Sequence, residues 1–162
     1  MKSALSVLAL GILASCVAPR IAVAATASAS FGVSATVQSA CVASASSMRF
    51  GIYTGAAVSA TSAVSVNCTN PTPYNVGLSA GLAPDATVAN RKMTGPGSAL
   101  LGYALASNSQ GIVNWGHTVG IDTAAGIGKG SAQTFSVNGQ IPPGPFVAAG
   151  AYADVITLTV TY

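Results

Sequence analysis

Short runs in which apolar and polar residues alternate, each closed by Gly, Pro or Asn, recur along this 162-residue chain. "VSVNC", "PYNVGLSAG", "LGYAL" and the closing "DVITLTVTY" are of this kind. A period of two puts successive side chains on opposite faces of a strand, so each run specifies a strand with one face buried. In the last run Ile156, Leu158, Val160 and Tyr162 share one face, while Val155, Thr157, Thr159 and Thr161 share the other. A final strand this apolar needs neighbours at its sides and a cover over its face, because a long uncovered edge is a template for aggregation. Composition closes off a helical alternative: the chain has no glutamate, charged residues make up 6% of it, and alanine is its main strong helix former.

The N-terminus reads as a secretory leader. Lys2 gives it a positive start, "ALSVLALGILASCVA" is an apolar run too short for a comfortable span, and Ala22-Val23-Ala24 is a small-residue processing site. Residues 1–24 are then removed, and the mature chain is 25–162. A competing cleavage lies at "LASC", Leu13 to Cys16, which resembles the box of bacterial lipoproteins in which a lipidated cysteine becomes the first residue. Cysteine arithmetic favours the first cleavage, which removes Cys16 and leaves Cys41 and Cys68 as an even pair. An oxidising compartment permits a bridge between them; two unrelated buried thiols are the alternative.

Processing also removes Lys2 and Arg20, two of the six cations. The four left, Arg49, Arg91, Lys92 and Lys129, face Asp85, Asp122 and Asp154, for a net charge near +1. Four dispersed cations form neither a stripe for nucleic acid nor a cluster for anionic lipid.

Candidate strands are Phe31 to Gln38, Met48 to Tyr53, Ala63 to Cys68, Tyr74 to Ala80, Leu100 to Ala106, Gln133 to Val137 and Tyr152 to Tyr162. Between them lie turn sequences such as "NPTP", "GPG", "NSQG" and "IPPGP". About seven short strands at this spacing argue for an all-β, Ig-like sandwich in a single domain, with a jelly roll left open. The first strand, in "SFGVSATVQSAC", sets Phe31, Val33, Ala35 and Val37 against Gly32, Ser34, Thr36 and Gln38. It mirrors the last. It either joins its own sandwich or lies in a neighbour's.

Chemistry-bearing residues are few. His117 is the sole histidine, and three Asp without Glu give neither a paired-carboxylate site nor metal-ligand spacing. No enzyme, metal, cofactor or small-molecule substrate is therefore expected, and His117 reads as a surface or loop residue near Trp115. "GIGKGS" fails as a phosphate loop because Thr123 stands where the first glycine belongs and a strand follows. Asn67-Cys68-Thr69 matches a glycosylation sequon in form alone. Trp115 and Tyr53, Tyr74, Tyr103 and Tyr152 read as core anchors in preference to a carbohydrate patch. Asp154 is expected to cap a turn or pair locally, and Arg91 to bond a loop carbonyl or an Asp.

These residues together resemble the spore coat protein U domain family, which includes the pilins of archaic chaperone-usher systems. The marks keep their order: "FGVSATV" before Cys41, "RFGIY", "VSVNC" ending at Cys68, "PYNVGLSAG", "NRKM" with Arg91, "LGYAL", "NWG" and "GAYADVITLTVTY". The resemblance implies an incomplete Ig-like sandwich that lacks one strand and keeps a groove open beside its C-terminal strand. Ile156, Leu158, Val160 and Tyr162 would line the groove, and Phe31, Val33, Ala35 and Val37 of another subunit would fill it. A periplasmic chaperone would occupy it first, anchoring the terminal carboxylate of Tyr162, until an outer-membrane usher exchanges the chaperone for the next pilin.

The resemblance further implies a leader at 1–24, a donor extension at 25–38, a pilin sandwich at 39–162 and an extracellular fimbria on a Gram-negative cell, serving attachment and biofilm formation. A shaft or adaptor subunit fits this length better than a two-domain tip adhesin. The alternatives are a self-complete secreted binding module, in which residues 31–38 fold back into their own sandwich, and a coat or matrix protein.

Overall fold

The computed structural model describes residues 21–162 except Ile112 and Pro145; the apolar run expected to be a leader, and Cys16, lie outside the described residues. The chain divides into residues 1–35 and 36–162. The described part of the first unit, residues 21–35, is exposed throughout and contains neither helix nor strand.

The second unit is all-β. Its strands are β1 (Cys41–Ala45), β2 (Val58–Cys68), β3 (Pro73–Leu78), β4 (Arg91–Thr94), β5 (Leu100–Ala106), β6 (Ala124–Ile127), β7 (Gln133–Ile141) and β8 (Leu158–Thr161), with one 3-10 turn at Pro96–Ser98. Five strands form one sheet in the order β1-β2-β7-β5-β4, and three form the other in the order β6-β3-β8. All pairings are antiparallel. This is the two-sheet architecture of an Ig-like sandwich.

Alternation builds the core as the sequence implies. Val64, Val66 and Cys68 of β2, Tyr74, Val76 and Leu78 of β3, Leu101, Tyr103 and Leu105 of β5, and Val137 and Ile141 of β7 are buried. Trp115 joins the two sheets: its Nε1–H donates to the Val76 carbonyl at 2.8 Å and its backbone N–H to the Leu105 carbonyl at 3.0 Å. Trp115, Tyr74 and Tyr103 are thus buried anchors, with Tyr53 and Tyr152 packed partly buried against the same core.

The strand expectations differ from the structure in instructive ways. Phe31 to Gln38 enters no sheet, and Met48 to Tyr53 is no strand. Of Tyr152 to Tyr162, the stretch Leu158–Thr161 alone is assigned to a strand. Three strands carry no periodic signal. β1 ("CVASA") is an edge strand whose side chains after Cys41 are exposed, β4 ("RKMT") buries an arginine, and β6 ("AAGI") is short and made of small residues. β7 runs on past the expected end at Val137, through "NGQI" to Ile141. Gly139 is buried under Met48 and Phe50, which pack so close that a Cβ at that position would overlap them.

The Cys41–Cys68 disulfide joins the first residue of β1 to the last of β2. β1 pairs with β2 alone, and the Ala40 and Thr69 main chains extend this anchorage: Thr69 N–H donates to the Ala40 carbonyl, and Ala40 N–H to Thr69 Oγ1. Chain-entropy reasoning assigns a bridge across this separation of 27 residues about 3.5 kcal/mol. A Cys41→Ser/Cys68→Ser variant should lose that much stability in urea denaturation, with β1 amides exchanging hydrogen before those of β5 and β7.

Candidate functional site

Two segments at one side of the sandwich resemble strands that lack a partner. After β1, the chain from Ser47 to Thr54 makes no backbone–backbone hydrogen bond among the described residues. Its side chains nevertheless alternate, with Met48 and Phe50 half-buried and Arg49 exposed. Before β8, Ala153 exchanges two backbone hydrogen bonds with Thr94 of β4, and the Thr157 carbonyl accepts from the Ser79 N–H beyond β3. Between those points the main chain joins no ladder. It passes from the edge of the five-stranded sheet to the edge of the three-stranded sheet, with Tyr152, Asp154, Ile156, Leu158 and Val160 on its inner side.

A groove lies between these two segments. One stretch of it, a cavity of about 530 Å³, is lined by residues 45–50 on one wall and 152–156 with Leu158 on the other, over Val64, Leu78, Tyr103, Leu105 and Val137. A second, of about 890 Å³, continues between residues 48–55 and the described residues of 146–152, over Leu101 and Ile141. Met48, Arg49, Phe50, Met93 and Tyr152 line both stretches. The floor is thus the sandwich core itself. Polar backbone is ordinarily paired, so two segments without ladder partners, residues 47–50 and 154–156, flanking a groove over the core form a ready site for an added strand.

Ile156 and Leu158 line this groove. Val160 packs against the core beyond its lining, paired with Val76, and Tyr162 is exposed. Phe31, Val33 and Val37 are 87%, 85% and 84% exposed, and Ala35 is exposed as well. Sequence reading missed the opposite wall, Met48, Phe50 and Tyr53, as groove residues. The signal was present in the alternation of Met48, Arg49 and Phe50, which marks a strand without saying which partner it lacks; the alternation breaks at Gly51, whose φ is +78°, and does not reach Tyr53.

Two polar residues organise the surroundings. Arg91 is fully buried. Its Nε donates to the Ser79 carbonyl, Nη1 to the Val88 carbonyl, and Nη2 to the carbonyls of Leu78 and Trp115, at 2.6 to 3.1 Å, with Asn114 Oδ1 at 3.5 Å from Nη1. Of the two partners expected for it, carbonyls are the ones found. Burial pulls its pKa down, while Tyr103, Asp122 and Asp154 act upward. Asp154 reaches further than a local turn. Oδ1 accepts the Leu82 and Val155 N–H groups, and Oδ2 accepts the Tyr103 hydroxyl at 2.7 Å.

Burial, and secondarily the bond to Asp154, push the Tyr103 hydroxyl far above its ordinary pKa of 10.0; burial raises Tyr74 too. A raised folded-state pKa gives stability that is intact below the unfolded value and lost as pH climbs past it, because the unfolded chain ionises first. Stability should therefore fall above about pH 10. In an alkaline titration the Tyr103 tyrosinate absorbance should appear only together with unfolding, and Tyr103→Phe should remove that increment.

The residues of chemical interest elsewhere lie apart. His117 is exposed in the loop after Trp115. "GIGKGS" begins in β6 and then turns back, Gly128 N–H donating to the Thr72 carbonyl and Gly130 N–H to that of Cys68.

Residues 27–159 match the Spore Coat Protein U domain. The chain is 32% identical over 166 aligned residues to "Protein U" of Myxococcus xanthus, a match covering 92% of each chain. Among solved structures it is similar to the CsuC-CsuE chaperone-tip adhesion subunit pre-assembly complex from archaic chaperone-usher Csu pili of Acinetobacter baumannii, with a TM-score of 0.61 and 27% identity. That likeness covers 78% of this chain and 41% of the solved one, so the chain spans less than half of that relative.

Proposed function

The chain belongs to the Spore Coat Protein U domain family, and we propose that it is a structural pilin that polymerises by strand exchange into a chaperone-usher fimbria. The observation that carries this is the groove between two segments whose main chains lack ladder partners, residues 47–50 and 154–156. An entering strand gains a ladder on each side, and its alternate side chains enter the apolar floor. Phe31, Val33, Ala35 and Val37 of another subunit have that alternation. Burying Phe and two Val contributes roughly 1.5 to 3 kcal/mol each, before any backbone pairing.

The similarity to a subunit solved in complex with its chaperone supports the same partner here. A periplasmic chaperone covers the groove after export, and an outer-membrane usher hands it to the next subunit. In this proposal residues 1–24 are the leader, 25–38 the donor extension and 39–162 the acceptor sandwich, and the assembled fibre is extracellular and serves attachment and biofilm formation. Family and fold are those of structural pilus subunits, which supports a structural rather than an enzymatic role. The family's description supports a second reading, a coat or matrix protein built by the same strand addition, which would assemble without an usher.

A second copy of residues 27–39 fused behind Tyr162 by a flexible linker tests the groove. The fused protein should be a monomer with a clearly raised melting temperature, and scrambling the four apolar residues of the added copy should remove the gain. An unchanged melting temperature would contradict strand uptake.

A further inference from the structure

We propose that Asp154 is the positioning residue of the groove, the side chain that sets the distance between its C-terminal wall and its floor; this rests on the strand-acceptor function just proposed. Along the wall, Tyr152, Asp154, Ile156 and Leu158 line the groove, and Asp154 is the one charged residue among these four. A carboxylate in an apolar lining is costly unless its oxygens are engaged. These are. Oδ2 accepts the Tyr103 hydroxyl at 2.7 Å, and Oδ1 accepts the N–H groups of Leu82 and Val155 at 2.8 Å each.

The partners belong to different parts of the sandwich. Tyr103 stands on β5 in the floor, and Leu82 follows β3 of the other sheet. One carboxylate therefore joins the wall to both layers. The backbone at Gly81 leaves room for it: a Cβ there would overlap the carboxylate, and its φ of +95° is one that L side chains rarely adopt.

No ladder does this work. The wall is fixed to Thr94 at Ala153 and to Ser79 at Thr157, on opposite sheets. Between those anchors Asp154 is the tie to the floor, and there an incoming strand must find a main chain held at about 4.8 Å, the spacing of paired strands. Loosening the tie therefore weakens strand uptake more than it weakens the empty fold.

The test uses the exported protein, unfolded and refolded with a fluorescein-labelled peptide of residues 27–39, as wild type, Tyr103→Phe, Asp154→Asn, Asp154→Ala and Tyr103→Phe/Asp154→Ala. Tyr103→Phe removes one hydroxyl and keeps the ring in the floor, so it decides the question even if Asp154→Ala does not fold. Peptide affinity, measured where every variant is folded, should fall about tenfold or more in Tyr103→Phe and Asp154→Ala, the scale of one hydrogen bond to a charged group. The double variant should be no weaker than Asp154→Ala, because the two residues act as one unit. Asp154→Asn keeps an acceptor for Leu82 and should fall between. A Tyr103→Phe protein with a lower melting temperature but wild-type peptide affinity would make the bond purely structural and overturn the assignment while leaving strand uptake standing. Wild-type protein that takes up no peptide would overturn the groove itself, and the assignment with it.

Discussion

Arg91→Leu should leave almost no folded protein in the periplasm. The guanidinium is fully buried and satisfies four main-chain carbonyls from three parts of the chain: Leu78 and Ser79 at the end of β3, Val88 ahead of β4, and Trp115 in the loop between β5 and β6. Leucine fills much of the same space and supplies no donor. The bonds to Leu78 and Trp115 are buried and those to Ser79 and Val88 part-buried; each buried carbonyl left without a partner costs about 1 to 3 kcal/mol, so the loss is a large part of the stability of a domain, about 5 to 15 kcal/mol. Lysine keeps the charge but lacks the planar fork, and Arg91→Lys should be intermediate. Urea denaturation of the strand-fused protein, with its added stability, is the measurement. A leucine variant within about 1 kcal/mol of wild type would mean that the carbonyls find other partners.

The second large effect falls on assembly. In Val33→Asp/Val37→Asp, two residues that are 85% and 84% exposed gain charge, and exposed substitutions away from special features change fold stability by about 0.5 kcal/mol or less. In a neighbour's groove the same carboxylates would enter an apolar lining with no donor built for them, at a cost of several kcal/mol each. Subunits should therefore accumulate at normal levels, bound to the chaperone, while the heat-sensitive ladder of polymers disappears from unheated gels. Ladders that persist would exclude exchange through this segment.

Where burial and period coincide, the fold is legible in the sequence. β5 coincides with the alternation of "LLGYALA", and the inward residues of β2 and β3 are the apolar ones. Period says nothing where a strand buries no apolar face, as in β1, or where the buried residue is a charged one, as with Arg91 in β4. Met48 to Tyr53 shows another limit. Its alternation is that of a strand only to Phe50; Gly51 then takes a φ of +78°, and backbone pairing needs a second chain segment alongside. The wall formed by Ile156 and Leu158 could be read from "DVITLTVTY"; the tie through Asp154 could not, since Leu82 and Tyr103 lie 72 and 51 residues away in sequence. The need for glycine at 139 is likewise visible only once Met48 and Phe50 are seen against it.

Cryo-electron microscopy of the assembled polymer tests strand exchange most directly, by tracing which chain lies between residues 47–54 and the segment ahead of β8. The expected density is a strand paired on both sides, with Phe31, Val33, Ala35 and Val37 pointing at Leu105 and Val137, and continuous with the sandwich of the adjacent subunit. A groove filled by the subunit's own residues 31–37, or left empty while subunits touch elsewhere, would contradict it.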